Sequence, residues 1–144
     1  MQKPLEGIKV VELGIVLAAP YCGLLLSDLG ADVIKVESPE GDETRRYLPF
    51  IEGSEFSAFT AAINRSKRSI SLDLKNPEAV KAYLKICEGA DVVLENFRPG
   101  VSDRLGVGPK AVKAMNPDVI YCAISGFGHK GPRANDPAMD FFIQ

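Results

Sequence analysis

Basic side chains gather around one short segment of the sequence. The cluster consists of Arg65, Lys67, Arg68 and Lys75. Arginine places two N–H groups on phosphate oxygens and lysine supplies a compact positive charge, so these residues could bind a phosphorylated ligand. The alternative is a solvated rim in which the cations pair with the acids Asp42 and Glu43.

Two further polar residues could take part in chemistry. Asn96 follows an apolar run and could either hydrogen-bond a ligand or close the turn after it, because asparagine suits both tasks. His129 is the single histidine, and a general base needs a group that orients it, so an exposed loop residue is the simpler interpretation. The sequence shows neither metal-ligand spacing, nor a nucleophile elbow, nor a phosphate-binding loop.

Short apolar and β-branched runs predict the strands that must position these residues. The runs are Ile8–Leu13, Asp32–Glu37, Ser69–Leu74, Asp91–Asn96 and the beginning of Val119–Gly128. Helical patterns alternate with them, which predicts an α/β fold with a Rossmann-like, doubly wound parallel sheet. Ligands of such folds bind beyond the carboxyl ends of the strands. The long polar stretch over residues 38–67 is predicted to be an ordered loop with a short helix.

Three helices are predicted between the strands. Pro20 stands at the first position of one helix and Gly30 ends it; its apolar stripe is Ala18, Cys22, Leu25 and Leu29. Asn76 caps the next helix and Pro77 begins it; its stripe is Val80, Tyr83, Leu84 and Cys87. The third covers Pro109–Met115.

Composition narrows the classes of function. With 17 Lys and Arg against 19 Asp and Glu, the formal charge is -2, so no basic field favours nucleic acid or an anionic membrane. No stretch approaches the roughly 20 apolar residues of a membrane span, and the first residues lack the apolar core of a signal peptide. Three widely spaced cysteines, Cys22, Cys87 and Cys122, are interpreted as buried thiols. We therefore expect a cytoplasmic protein.

Four blocks stand in a fixed order along the chain. They are PLEGIKVVELGIVLAAPYCGLLLSDLGADVIKVESPEGDETR, NRSKRSISLDLKNPEA, ADVVLENFRPGVSDRLGVG and NPDVIYCAISGFGHKGP. Together they resemble the class III CoA-transferases, a family that includes formyl-CoA transferase, carnitine CoA-transferase and α-methylacyl-CoA racemase. The resemblance implies that residues 1–144 are the N-terminal, CoA-binding portion of a large Rossmann-like domain. The rest of that domain, a small domain and an interlocked homodimer belong to the complete protein, in which a second polypeptide could supply the missing part.

The resemblance also implies a CoA site, with coenzyme A bound as part of the substrate and no permanent cofactor. Its residues are Val16, Leu17, Ala18, Ser38, Leu72, Lys75, Asn96, Phe97 and Arg104. By this resemblance Val16 and Ala18 lie in the loop that approaches the nucleotide, and Leu72 and Lys75 lie near the adenine and the phosphates. Asn96 and Phe97 line the pantetheine arm. Arg104 contacts a phosphate or the adenine. Leu17 and Ser38 depart from formyl-CoA transferase, which has glutamine and arginine there, so that substrate pair is not expected.

In these transferases an aspartate attacks an acyl-CoA thioester and the CoA then passes to a carboxylic acid acceptor. The resemblance places that aspartate beyond Gln144; Asp140 matches a different, supporting aspartate. The racemases carry a Gly-His-Asp segment that aligns with residues 138–140, and without that histidine a racemase is the weaker alternative. The apolar residues 141–143 have no element after them, which favours an incomplete transferase. A truncated, non-catalytic CoA-binding subunit is the other alternative.

Overall fold

A computed structural model describes residues 3–138 and contains one five-stranded parallel sheet. The strands are β1 (Lys9–Leu13), β2 (Asp32–Glu37), β3 (Arg68–Ser71), β4 (Val92–Glu95) and β5 (Ile120–Ala123). Their order across the sheet is β3-β2-β1-β4-β5, and every neighbouring pair is parallel. The predicted segments at residues 139–144, including Asp140, lie outside the described residues.

Five helices and one 3₁₀ turn connect the strands in the described part of the chain. The helices are α1 (Ala18–Asp28), α2 (Ala58–Ile63), α3 (Pro77–Cys87), α4 (Val101–Arg104) and α5 (Pro109–Met115), and the turn is Glu43–Arg46. Helix α5 has its predicted bounds, and α3 begins at Pro77 with Asn76 accepting a hydrogen bond from the Glu78 amide. The short helix expected within residues 38–67 is α2. Helix α4 was not predicted.

The two faces of the sheet bury separate apolar clusters because side chains alternate along a strand. On one face Val11, Val36 and Val93 pack with Tyr83 and Cys87 of α3 and with Val112 of α5. On the other face Val10, Val33 and Leu94 pack with Ala19 of α1. Helices therefore cover both faces, and the predicted doubly wound α/β fold is confirmed.

The predicted buried stripe of α1 is wrong. The helix begins at Ala18, two residues before Pro20, and its buried residues are Ala19, Pro20, Gly23, Leu24 and Ser27. Leu25 and Leu29 are each 46% exposed. Small residues face the sheet because α1 lies close to β1: a Cβ on Gly23 would overlap the carboxylate of Glu12.

The third strand is shorter than predicted. β3 ends at Ser71 instead of continuing to Leu74, although the Leu72 amide still donates to the carbonyl of Glu37 at 2.9 Å. The carboxylate of Asp73 then accepts the amide of Lys75 at 3.0 Å, which turns the chain toward α3.

The cysteines are free thiols, as predicted, but only one is fully buried. Cys87 is buried, and burial raises the pKa of its thiol to about 11. Cys22 and Cys122 are half-buried. Across residues 3–138, the structure has no helix both long and apolar enough to cross a bilayer.

The close packing of α1 on β1 gives a prediction for Gly23. Alanine would gain about 1 kcal/mol of helix propensity, but overpacking against the immobile Glu12 carboxylate costs about 3 kcal/mol, so Gly23→Ala is expected to lower the free energy of unfolding. Urea denaturation measures the change. Gly89→Ala is the matched control, since nothing lies within 4 Å of a Cβ there. Equal stability of the two variants would contradict the packing.

Candidate functional site

A cavity of about 250 Å³ opens at the carboxyl ends of β1 and β2, beside the turn that follows β3. Its apolar lining is Leu13, Ile15, Val36, Leu72, Leu74, Phe97 and Leu105. Open α/β sheets bind ligands at this edge. The cavity therefore lies where the sequence predicted a ligand.

Four of the nine residues predicted for the CoA site line this cavity. They are Ser38, Leu72, Lys75 and Phe97. Leu17, 47% exposed, and Ala18 lie at the beginning of α1. Arg104 ends α4 next to the lining residue Leu105, and its side chain lies against Gly100. Direct ligand contacts of these residues stay predictions.

Four carboxylates, those of Glu37, Glu40, Asp42 and Asp73, and the ammonium group of Lys75 line the cavity. Glu37 forms two hydrogen bonds of 2.9 Å with the guanidinium of Arg45 and is neutralised there. Glu40 and Asp73 remain at the rim with Lys75. The pKa of Glu40 is lowered by its own backbone N–H, by the Ser38 hydroxyl and by the charge of Lys75. Lys75 thus supplies the positive charge at this edge.

Asn96 joins two strand ends instead of pointing a free amide at the cavity. Its Oδ1 accepts the amide of Ile15 at 2.8 Å, and its Nδ2 donates to the carbonyl of Ile15 at 2.9 Å. The side chain therefore clamps the loop after β1 onto the end of β4. Neither predicted role, ligand contact or local turn, includes this bridge.

A buried lysine gathers the segments that form the base of the site. Lys35 Nζ lies 3.1 Å from Glu12 Oε1, 2.7 Å from the carbonyl oxygen of Gly14 and 3.2 Å from Asp42 Oδ2. The side chains of Lys35, Glu12 and Asp42 are at most 2% exposed. An ammonium this deeply buried requires such partners, because its desolvation is otherwise uncompensated.

Lys67 completes the network on the α1 side. Its Nζ lies 2.7 Å from Glu12 Oε2, an ion pair with poor hydrogen-bond geometry, and donates to the Pro20 carbonyl at 2.7 Å and to Asn64 Oδ1 at 3.0 Å. Burial lowers the pKa of Lys67, while Glu12 opposes that shift. Two cations and two anions therefore balance within the buried network.

Asp42 connects this network to the first loop. Its Oδ2 accepts the amide of Val16 at 3.1 Å, and its Oδ1 accepts the amide of Thr44 at 3.0 Å. Burial would raise the pKa of Asp42, but the hydrogen bonds from Thr44 and the charge of Lys35 together hold that pKa below its ordinary value. Val16 has a φ of 61°, a left-handed conformation that costs a β-branched residue on the order of 1–2 kcal/mol.

The predicted basic cluster is divided between two places: Arg65, Lys67 and Arg68 line a second cavity, and Lys75 lies apart from them. Lys67 is buried in the network, whereas Arg65 pairs with Asp28 and Arg68 with Asp32 in exposed ion pairs. Lys75 alone of the four lines the cavity. The alternative pairing with Asp42 and Glu43 is also wrong, since Asp42 is buried against Lys35 and Glu43 accepts from Tyr47.

Sequence reasoning missed Glu12, Lys35 and Glu95, all of which are buried. Each is a charged residue near the carboxyl end of a predicted strand. A charge in that position is rarely buried unless it is paired, and three such residues on neighbouring strands were a usable signal. The periodicity alone placed them correctly in strands but said nothing of their partners.

Glu95 lies on the opposite face of the sheet from this network. It is 2% exposed and accepts the amide of Phe97 at 2.7 Å and the hydroxyl of Ser102 at 3.5 Å. Burial raises the pKa of this carboxyl group above its ordinary value, and the Phe97 amide and His129 oppose the shift in part. Glu95 thus holds the turn that places Phe97 in the cavity lining.

Comparisons with known proteins show which family the sequence resembles. The model of CoA-transferase family III matches residues 5–144. Succinate–glutarate CoA-transferase of Agrobacterium fabrum is 45% identical over 147 residues, covering 98% of this chain and 37% of the relative. Acetyl-CoA:oxalate CoA-transferase of Acetobacter aceti is 43% identical over 142 residues, covering 98% of this chain and 36% of the relative.

A solved structure agrees with the fold. A CAIB/BAIF family protein from Brucella suis superposes with a TM-score of 0.92 at 49% identity, covering 98% of this chain and 38% of that protein. The chain therefore spans less than two fifths of the length of these relatives.

The raised pKa of Glu95 predicts a pH-dependent effect of Glu95→Gln. An acid that holds its proton more tightly when folded loses stabilising free energy as pH rises from about 4.3, its unfolded pKa, through its folded pKa. Glutamine removes that loss. The free energy of unfolding of the variant, relative to that of the unmodified protein, should therefore rise across this pH interval and then level off. Urea denaturation between pH 4 and pH 8 measures it. Glu78→Gln, at an exposed site on α3, is the control; a pH-independent difference for Glu95→Gln would contradict the burial effect.

Proposed function

Because the chain belongs to CoA-transferase family III, we propose that it supplies the CoA-binding part of an enzyme that transfers CoA from an acyl-CoA thioester to a carboxylic acid. The observation that carries this proposal is the cavity at the carboxyl edge of the sheet, with its apolar lining and Lys75 at its rim. Four residues predicted for CoA contact from the family resemblance meet in this one cavity.

The chemistry of the cavity favours one orientation of CoA. Its apolar lining suits a neutral part of the molecule, the adenine or the pantetheine arm. Lys75 supplies the positive charge among the described lining residues, so we place a phosphate group of CoA next to its ammonium. The amino end of α1, which begins after the lining residues Gly14 and Ile15, adds positive potential at this edge of the sheet.

The nucleophile of the reaction is proposed to come from outside residues 1–144. Four carboxylates line the cavity: Glu37 is paired with Arg45, Asp42 with Lys35, Asp73 accepts a turn amide, and Glu40 is held by its own backbone N–H and the Ser38 hydroxyl. A carboxylate held in this way is a poor candidate for attack on a thioester, which requires a free oxygen aimed at the carbonyl carbon. The role of this chain is then to hold CoA while another part of the protein reacts.

The acyl donor and the acceptor acid are not specified by the described residues. The relatives named above act on different acids, glutarate and oxalate, although they resemble this chain to nearly the same degree. The contacts that choose the acid are therefore proposed to lie in sequence beyond this portion. A cytoplasmic location, which free thiols suit, and a homodimeric assembly complete the proposal.

Lys75→Met should weaken CoA binding about tenfold, because the variant loses a charge-assisted contact to phosphate while keeping the length of the side chain. The dissociation constant for CoA should also depend less steeply on salt concentration. Isothermal titration calorimetry of the full-length protein measures the dissociation constant for CoA and its dependence on salt concentration. Lys113→Met removes an exposed lysine from α5 and should leave binding unchanged. Equal loss in both variants would mean that only net charge matters.

Incubation of this chain alone with an acyl-CoA should give no covalent CoA adduct, since the proposed nucleophile is supplied from elsewhere. Intact-protein mass spectrometry after incubation with succinyl-CoA, used as the probe, measures the adduct. Hydroxylamine treatment of a parallel sample serves as the control for thioester or anhydride chemistry. A CoA adduct mapped to any residue from 3 to 138 would contradict this assignment of roles.

A further inference from the structure

The loop after β1 reaches the cavity in a conformation that its own sequence disfavours. Val16 is β-branched and has a φ of 61°, a region that such residues rarely occupy. Glycine is the residue that adopts this conformation without steric penalty. A valine in this conformation persists only when its surroundings hold it there.

Two side chains from distant parts of the sequence hold the loop. Asp42, 26 residues away, accepts the Val16 amide at 3.1 Å. Asn96, 81 residues away, binds both the amide and the carbonyl of the preceding Ile15. Gly14, just before them, accepts from Lys35 through its carbonyl at 2.7 Å. Consecutive backbone groups are therefore fixed from three different directions.

The Asp42 carboxylate is itself fixed before it meets the loop. Lys35 Nζ lies 3.2 Å from the same oxygen that accepts the Val16 amide, and the Thr44 amide occupies the other oxygen. Both oxygens of the carboxylate therefore have partners besides the Val16 amide. Its lowered pKa keeps it ionised to lower pH than an ordinary aspartate.

We propose that Asp42, oriented by Lys35, is a positioning residue that holds Val16 in the left-handed conformation and so presents the loop from Gly14 to Leu17 to the CoA substrate. This inference rests on the proposed CoA site. Gly14 and Ile15 line the cavity and Leu17 immediately precedes α1, so a change in φ at Val16 would move Ile15 relative to the amino end of the helix. Asp42 also lines the cavity. The Val16 variants, which leave its carboxylate in place, therefore separate an action through the Val16 backbone from a direct contact with the ligand.

Val16→Pro and Val16→Gly form the most selective pair of variants. Proline fixes φ near −65° and has no amide to donate to Asp42, but it leaves Lys35, Glu12 and Asp42 intact in the interior. Glycine keeps the amide and tolerates the left-handed conformation. Both variants lose the valine side chain, so the comparison between them isolates the backbone. We expect the dissociation constant for CoA to be at least tenfold higher in Val16→Pro than in Val16→Gly.

A double-mutant cycle then connects Asp42 to the same conformation. Asp42→Asn keeps the shape of the side chain but sets an NH₂ group against either Lys35 or the Thr44 amide, so CoA binding should weaken at least tenfold. Adding Val16→Gly to Asp42→Asn should recover at least threefold of that loss, because glycine no longer needs to be held. A residue that served only the stability of the fold would show no such recovery.

Calorimetric titration of CoA into the full-length protein gives the dissociation constant for each variant. Circular dichroism confirms that each variant is folded. If Val16→Pro binds CoA with the affinity of the unmodified protein, the positioning role is overturned while the proposed function stands. Absence of CoA binding in the unmodified protein would instead overturn the proposed function. If Asp42→Asn does not fold, the comparison of Val16→Pro with Val16→Gly decides the question.

Discussion

The ammonium group of Lys35, buried under the carboxyl edge of the sheet, joins three segments that carry the site. It contacts a carboxylate on β1, a carbonyl in the loop after β1, and a carboxylate that precedes the 3₁₀ turn. Removing one partner of a buried ion pair leaves an uncompensated charge and costs about 3–5 kcal/mol. The burial of each charge among Glu12, Asp42 and Lys67 therefore depends on the others, and we expect this edge of the sheet to form cooperatively.

The close packing of α1 follows from the same constraint. Glu12 lies directly beneath Gly23, so the helix can approach β1 only because that position has no side chain. Lys67 reaches across from the chain before β3 to the carbonyl of Pro20 and to Glu12. Charges on one face of the sheet thus connect α1 with β1, β2 and the segment that leads into β3. The other face is closed by an apolar core with α3 and α5.

Local sequence patterns predicted elements well where local chemistry decides. Asn76-Pro77 began α3, and Pro109–Met115 was a helix with those bounds. They failed where a contact between distant residues decides. Glu12 leaves no room for a side chain at Gly23, and Lys67, predicted as part of a basic cluster, is buried against the same carboxylate. The roles of Asp42 and Asn96 lie in bonds spanning 26 and 81 residues, which periodicity cannot detect. The cavity itself could be foreseen only as an edge of the sheet.

The central claim is that this edge binds coenzyme A, although the order of strands also suits dinucleotides. Calorimetric titration of the protein with CoA and, separately, with NAD tests it most directly. We predict saturable binding of CoA with 1:1 stoichiometry and no heat of binding for NAD at the same concentrations. Binding of NAD without binding of CoA would contradict the account.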